Sequence, residues 1–388
     1  MGLYNTYSVM RQIFFMLKKI CFYVKQKSME KTELHKAAAY LLEKIESRAT
    51  PANDIINDYL ATHRYLTGED RKTLLDLVWR TIRAWFKIHY FYPDFGWSER
   101  LEKIEELKPL ENRDMPDFVR YEVPEWLLPH IPNAVKELPQ MQGQAPIILR
   151  ANGDRDKVME MLRADGLSVE PCQKSPYGLI LAEYANLSDT KAYKKGLLEI
   201  QDEGAQLVAL DIGVKPKQDV FDFCAGAGGK SLIFAQMMQN RGFIQAYDAA
   251  PKRLFELVKR ADRCHVSIIK IVTKLPPPFK KFDHVVIDAP CTGTGTWRRT
   301  PDMRWKLTEK QLANIVKTQS EILNRAEQYV KPGHYLSYIT CSLTIDENEN
   351  QVQSFLRTHP NYAVLKEKRY SPYLTQTDGF YLCVMQKR

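Results

Sequence analysis

Asp222-Phe-Cys-Ala-Gly-Ala-Gly-Gly-Lys-Ser231 decides how this chain is read. Residues 220–223 have the apolar character of a strand, and residues 231–239 carry helical spacing, so the glycines sit where a strand hands over to a helix. Gly226, Gly228 and Gly229 allow a tight turn and a close approach of backbone to a ligand. The spacing is neither the dinucleotide fingerprint nor a phosphate-binding P-loop, which needs four residues between Gly and Gly-Lys. An ordinary structural turn has the same composition, and Asp248 separates the two readings. An acidic residue at the end of the next strand, roughly twenty residues on, is where a ribose hydroxyl pair is held. The two features together predict a nucleoside cofactor.

Working outward, strands and helices alternate as an open parallel sheet requires. Residues 243–247 predict a second strand, 251–260 a helix, 284–287 a strand, 309–329 a long helix and 334–339 a further strand. Two of these strands end in cysteine-bearing turns, Asp288-Ala-Pro-Cys-Thr-Gly-Thr-Gly295 and Thr340-Cys-Ser342. Ligands bind at that carboxyl edge of an α/β sheet. If the two strands are neighbours, ~4.8 Å apart, both thiols reach one substrate. A cysteine at such a junction is often inert packing. Two of them, each among small polar residues, point to chemistry.

Towards the N-terminus the pattern changes. Residues 30–92 read as helices: Leu34, Ala37, Leu41, Leu42 and Ile45 recur at helical spacing, and Thr50-Pro51 reads as an N-cap followed by Pro at the first helical position. Thr67 with Asp70 opens a longer helix, on which Leu75, Val78, Trp79, Ile82 and Phe86 form the expected apolar stripe. Arg71, Lys72, Arg80, Arg83 and Lys87 on that segment read as a solvated face or an RNA-facing one. Residues 93–145, rich in Pro and charge, read as a connector with short helices. Strands at 147–149, 167–169 and 179–181 around a helix at 155–164 make a small α/β module. Residues 1–28 are basic and apolar, with Lys18-Lys19 interrupting every run long enough to cross a bilayer. Met29 is an alternative start, and this extension carries none of the functional argument.

Composition sets the class. The chain has 388 residues, 44% hydrophobic and 27% charged, the balance of a globular protein of several domains. Its net charge of +9 is compatible with a polyanionic partner. Seven dispersed cysteines make no disulfide framework, which makes a reducing cytoplasm the default compartment. No His/Cys cluster has metal spacing, so no metal is expected, and His265 and His284 read as structural. Neither membrane attachment nor oligomerisation is indicated, and a monomer is expected.

Several segments, in this order, carry a resemblance: Gln201-Asp-Glu-Gly-Ala-Gln206, the Gly-rich turn with Lys230, Asp288-Ala-Pro-Cys291, Arg298-Arg-Thr-Pro-Asp302, Lys331-Pro-Gly333, Thr340-Cys-Ser342 and Glu347-Asn-Glu349. From about Pro124 onward the chain resembles the Fmu/Sun family of RNA cytosine-5 methyltransferases. The preceding helices resemble the NusB-like domain of that family's bacterial ribosomal RNA branch. The resemblance implies an uncertain extension over 1–28, an all-α NusB-like RNA-binding domain over 29–115, a connector and small α/β RNA-binding module over 116–199, and a class I Rossmann-like α/β methyltransferase domain over 200–388. It implies S-adenosylmethionine as cofactor, held by Cys224, Ala225, Gly226, Ala227, Gly228, Gly229, Lys230, Asp248 and Asp288. Cys341 would be the nucleophile, Cys291 the group that assists product release, and Asp288 with Lys230 the contacts to the cytosine ring. The expected substrate is a cytosine of small-subunit ribosomal RNA, with transfer RNA the nearest alternative and a non-catalytic RNA-binding assembly factor the rival from another class. DNA cytosine methylation fits less well, since there the Pro-Cys cysteine attacks and Thr-Cys-Ser has no counterpart.

The chain departs from the family pattern twice. Ala227 stands where the family usually has Pro, and Ile271-Val-Thr-Lys-Leu275 lacks the acidic residue that usually contacts the cofactor adenine near position 273. That second contact stays unassigned.

Overall fold

The computed structural model describes residues 29–107 and 114–388; the 1–28 extension lies outside them. The chain divides into two compact units at Arg120/Tyr121.

Among its described residues the first unit is helical. Helix Lys31–Ser47 buries Leu34, Ala37, Leu41, Leu42 and Ile45, the residues its spacing singled out. Helix Ala52–Thr62 follows, with Pro51 rather than Thr50 in the N-cap position. Helix Gly68–Arg83 opens with the expected capping box, Thr67 accepting from the Asp70 N–H and Asp70 from the Thr67 N–H. Its buried stripe is Leu74, Leu77, Val78, Thr81 and Ile82. The predicted stripe is therefore rotated by about one residue: Leu75, Trp79 and Phe86 are only half-buried. A bulky residue at the margin of a helix face mimics the face itself in a short window. The basic residues are also less free than a solvated face implies, since Arg80 pairs with Asp76 and Glu105.

The second unit holds two sheets. The smaller is antiparallel, in the order β2-β3-β1-β4, from β1 (Ile147–Ala151), β2 (Val169–Pro171), β3 (Gly178–Leu181) and β4 (Leu198–Ile200). The fourth strand, three residues long, was not legible. One face packs Leu149, Ala151, Leu179 and Leu198 against Val158 and Leu162 of helix Arg155–Ala164. The other face carries Arg150 and Glu199 towards the larger sheet. Arg150 Nη1 donates to Gln236 Oε1 at 2.7 Å, and Glu199 accepts from Arg260 at 2.6 Å and from Arg263. The small module is thus fastened to the larger sheet by ion pairs that no local pattern announces.

The larger sheet runs β10-β11-β9-β8-β5-β6-β7. Its members are β5 (Asp219–Asp222), β6 (Phe243–Tyr247), β7 (Ile269–Val272), β8 (Phe282–Asp288), β9 (Val330–Thr340), β10 (Tyr362–Tyr370) and β11 (Phe380–Lys387). β7, β6, β5, β8 and β9 pair in parallel. The strands read from the sequence are thus parallel, as expected, and β11 and β10, which that reading did not mark, add antiparallel and make the whole sheet mixed. Side chains alternate between two covered faces, as a doubly wound sheet demands. Val220, Ile244, Val286 and Ile339 pack with Val208, Ile233 and Phe234 on one side. Phe221, Val285, Ile287 and Tyr338 pack with Leu323, Tyr329 and Phe355 on the other. Strand order reverses between β5 and β8, which opens the crevice at their carboxyl ends.

Candidate active site

β5 delivers the Gly-rich turn to that crevice. Gly226 and Gly228 adopt φ of +54° and +82°, and a Cβ at 228 would fall 2.1 Å from Leu257 Cδ1, so the turn cannot be built from ordinary residues. The Ala225 N–H donates to the Tyr247 carbonyl, and the Gly226 N–H to Asp248 Oδ2 at 2.8 Å. Asp248 Oδ1 accepts from the Ala250 N–H at 2.8 Å, and Arg253 approaches Oδ2 at 3.3 Å. Asp248 therefore also holds the turn in place. The Cys224 side chain packs towards the core, where burial pushes its thiol well above its ordinary range. The Ala227 carbonyl accepts from Arg260 at 2.6 Å, the same guanidinium that reaches Glu199.

Helix Gly229–Met237 begins at the turn and carries Lys230, whose ammonium meets Asp288 at the end of β8 at 2.8 Å. Burial opposes the lysine's charge, but the Asp288 carboxylate outweighs it and holds the ammonium above its usual range. Phe380 lies 5.3 Å from Lys230 Nζ, a cation–π distance.

β8 and β9 are hydrogen-bonded parallel neighbours, with Asp288 opposite Ile339. Their cysteines meet just beyond the sheet: Cys291 Sγ lies 3.1 Å from Cys341 Sγ. The hydrogen bond to Cys341, reinforced by burial, raises the Cys291 thiol well above its ordinary value. Gly295 lets the loop after β8 pack against the Cys341 and Gly379 backbones. Its N–H donates to the Cys341 carbonyl at 2.9 Å, and a Cβ there would fall 2.3 Å from the Gly379 carbonyl oxygen.

The turn, Lys230, Asp288, Cys291 and Cys341 thus converge on one sheet edge. Arg298 and Arg299 do not join them but bind Asp378, with Arg299 also reaching Asp202 at 2.7 Å. His284 is buried against Ser337 Oγ at 2.7 Å, and burial lowers its pKa to about 3, in keeping with a structural role. Sequence reasoning noted Asp222 and Glu347 only as parts of motifs and gave neither a role; Asp222 is buried at the end of β5 within the influence of the Lys230 charge. Gln319, on helix Glu309–Ala326, gives no local signal. Among the described residues no helix is long and apolar enough to cross a membrane, and no group of three His, Cys, Asp or Glu could hold a metal ion.

Residues 209–384 match the family described as 16S rRNA methyltransferase RsmB/F. A probable ribosomal RNA small subunit methyltransferase B of Bacillus subtilis is 30% identical over 266 residues, covering 62% of this chain and 59% of that protein. The ribosomal RNA small subunit methyltransferase B of Photorhabdus laumondii is 30% identical over 285 residues, covering 68% and 66%. The chain thus spans about three-fifths to two-thirds of the length of these relatives. Among solved structures, PH0851 superposes with a TM-score of 0.76 at 21% identity, covering 93% of this chain and all of that one. A methyltransferase homolog protein from Pyrococcus horikoshii superposes at 0.61 with 23% identity, covering 70% of this chain and 98% of that one. Those two likenesses speak for the fold alone. With the matched residues spanning the Gly-rich turn and both cysteine-bearing strand ends, the chain belongs to the 16S rRNA methyltransferase RsmB/F family.

Proposed function

We propose that this chain transfers a methyl group from S-adenosylmethionine to carbon 5 of a cytosine in small-subunit ribosomal RNA, through a covalent cysteine adduct. The observation that carries the reading is the pair of sulfurs of Cys291 and Cys341, 3.1 Å apart on the sheet edge that also presents the Lys230–Asp288 ion pair.

The residues present fit the cofactor. Gly226 and Gly228 take the left-handed conformation and leave room for Arg253 and Leu257, which gives a tight strand-to-helix turn of the kind that holds a nucleoside, and the adjoining acidic group, Asp248, suits ribose hydroxyls. Cys224, Ala225, Gly226, Ala227, Gly228 and Gly229 would line it, with Lys230, Asp248 and Asp288 at its margins. When bound, S-adenosylmethionine supplies an electrophilic methyl group.

Carbon 5 of cytosine is a poor nucleophile. Addition of the Cys341 sulfur to carbon 6 breaks the ring's aromaticity and moves electron density to carbon 5, so one difficult step becomes two easier ones. Asp288 bonds the ring nitrogen or exocyclic amine and stabilises the adduct, and Lys230 holds Asp288 in place for that contact. The common sheet edge keeps nucleophile and cofactor turn at fixed separation, which removes the entropic cost of assembling them. The carbon 5 proton then passes to the Cys291 sulfur or to water, while rupture of the sulfur–carbon bond restores the ring double bond and returns the electron pair to Cys341. Cys291 assists this exit. The target base must be unstacked or single-stranded for a thiol to reach carbon 6. Residues 29–115 and the 116–199 segment would supply RNA affinity, in line with the chain's net charge of +9.

Transfer of labelled methyl groups to small-subunit ribosomal RNA, followed by sequencing of methylated cytosines with and without the protein, tests this reading. Label confined to transfer RNA would reassign the substrate. No label in any RNA would leave an RNA-binding factor.

A further inference from the structure

Beyond the two thiols, the most heavily hydrogen-bonded group near the site is the carboxylate of Glu347. The residue is 0% exposed, and the five donors it accepts from are all uncharged. Thr292 donates twice, from its N–H at 2.8 Å and its hydroxyl at 2.5 Å. The Ser342 hydroxyl donates, the Thr344 hydroxyl does so at 2.9 Å, and Gln319 Nε2 at 3.0 Å. Thr292 directly follows Cys291, and Ser342 directly follows Cys341, so one carboxylate grips the residue after each cysteine. Gln319 extends the same clasp by donating to the Pro290 carbonyl at 2.9 Å. Burying a carboxylate without a cation is expensive unless its lone pairs are satisfied. Here every donor it collects, apart from Gln319 and Thr344, belongs to a residue next to a cysteine.

We propose that Glu347 is a positioning residue that clamps the two cysteine loops at the separation their chemistry needs. The proposal rests on the roles given above to Cys341 and Cys291. It differs from a merely structural role because its effect falls on the relation between two thiols, not on the stability of either strand. Glu347→Gln keeps the shape but turns an NH2 group towards hydroxyl and amide donors, so one loop is released.

The test uses the full chain and two readouts. The first is capture by phenylarsine oxide, which bonds two neighbouring thiols and loses its oxygen as water, with Cys291→Ala as the control that assigns the pair. The second is methyl transfer, with S-adenosylmethionine affinity measured alongside. Glu347→Gln should slow both capture and transfer by about 100-fold, the scale of a mispositioned reacting group. Alkylation of each thiol by iodoacetamide, and cofactor affinity, should stay unchanged. Normal capture and turnover in a folded Glu347→Gln protein would overturn the proposal. Should that variant not fold, Thr292→Val combined with Ser342→Ala must show the same losses, and unchanged values there overturn it equally. A wild-type chain that captures the arsenical but methylates no RNA would refute the proposed function, while the capture comparison would still decide the clamp.

Discussion

The Lys230 ammonium and the Asp288 carboxylate meet at 2.8 Å, one from the first turn of a helix and the other from the end of β8. Lys230 is nearly buried, with a side chain 10% exposed, while that of Asp288 is 35% exposed. The pair is thus anchored on its cationic side and open on its anionic side, the arrangement a carboxylate needs to meet a substrate. A third ionisable group, Asp222, is buried at the end of β5.

Asp222 should make stability depend on pH. Burial raises its pKa from 3.8 to about 7; a hydrogen bond from Ser231 and the Lys230 charge only partly offset this. A folded-state pKa above the unfolded one means the native state binds its proton more tightly. The associated stability is full below about pH 4 and is lost as pH rises through about 7, on the order of 4 kcal/mol. Asp222→Asn cannot ionise. Its melting temperature relative to the parent should therefore climb between pH 5 and pH 8. An equal difference at both pH values would mean that Asp222 is ionised throughout.

Asp248→Ala should weaken S-adenosylmethionine binding by about 1–3 kcal/mol, the cost of leaving hydrogen-bonding partners unpaired. The structure adds a second reason, because Asp248 also accepts from the Gly226 and Ala250 N–H groups. Asp248→Asn keeps one acceptor oxygen for the turn and should lose less. Calorimetric titration with equal affinities for all three proteins would remove Asp248 from the site.

How far the sequence could be read depended on how local the signal was. β5, β6, β8 and β9 were legible because apolar runs precede turns of small polar residues, and the site was legible because its parts follow those runs. β10 was not: Lys366, Glu367, Lys368 and Arg369 sit in an edge strand whose side chains largely face solvent, so no alternation marks it. β4 and β7 each carry a charged residue in mid-strand, Glu199 and Lys270, which interrupts the apolar run that marked the others. Glu347 escaped for another reason. Its donors come from 292, 319, 342 and 344, and only the fold brings them together.

Glu199→Gln should loosen the small module from the larger sheet. Its carboxylate, 4% exposed, receives both Arg260 and Arg263, which are themselves about a fifth exposed. Removing the charge strands two guanidinium groups, a loss of about 3 kcal/mol for a buried ion pair. Since Arg260 also holds the Ala227 carbonyl, cofactor affinity should fall together with stability. Urea unfolding and cofactor titration check the two effects, and an unchanged midpoint would show that the network contributes nothing. The same network makes residue 200 a poor place to cut the chain, for the cut would strip Glu199 from both arginines.

The two cysteines should fail in opposite directions. Their sulfurs touch across the β8–β9 seam at 3.1 Å, so geometry alone assigns neither role. The order of steps does. If Cys341 attacks carbon 6, Cys341→Ala removes entry to the reaction, and both methyl transfer and any covalent RNA species should vanish. If Cys291 serves elimination, Cys291→Ala still permits attack and methylation but stalls before the sulfur–carbon bond breaks. A protein–RNA species stable to denaturing gel electrophoresis should then accumulate in that variant alone. Two cysteines that merely pack would yield no trapped species and mild stability losses in both. Trapping in Cys341→Ala instead would reverse the roles and restore the mechanism in which the Pro-Cys cysteine is the nucleophile.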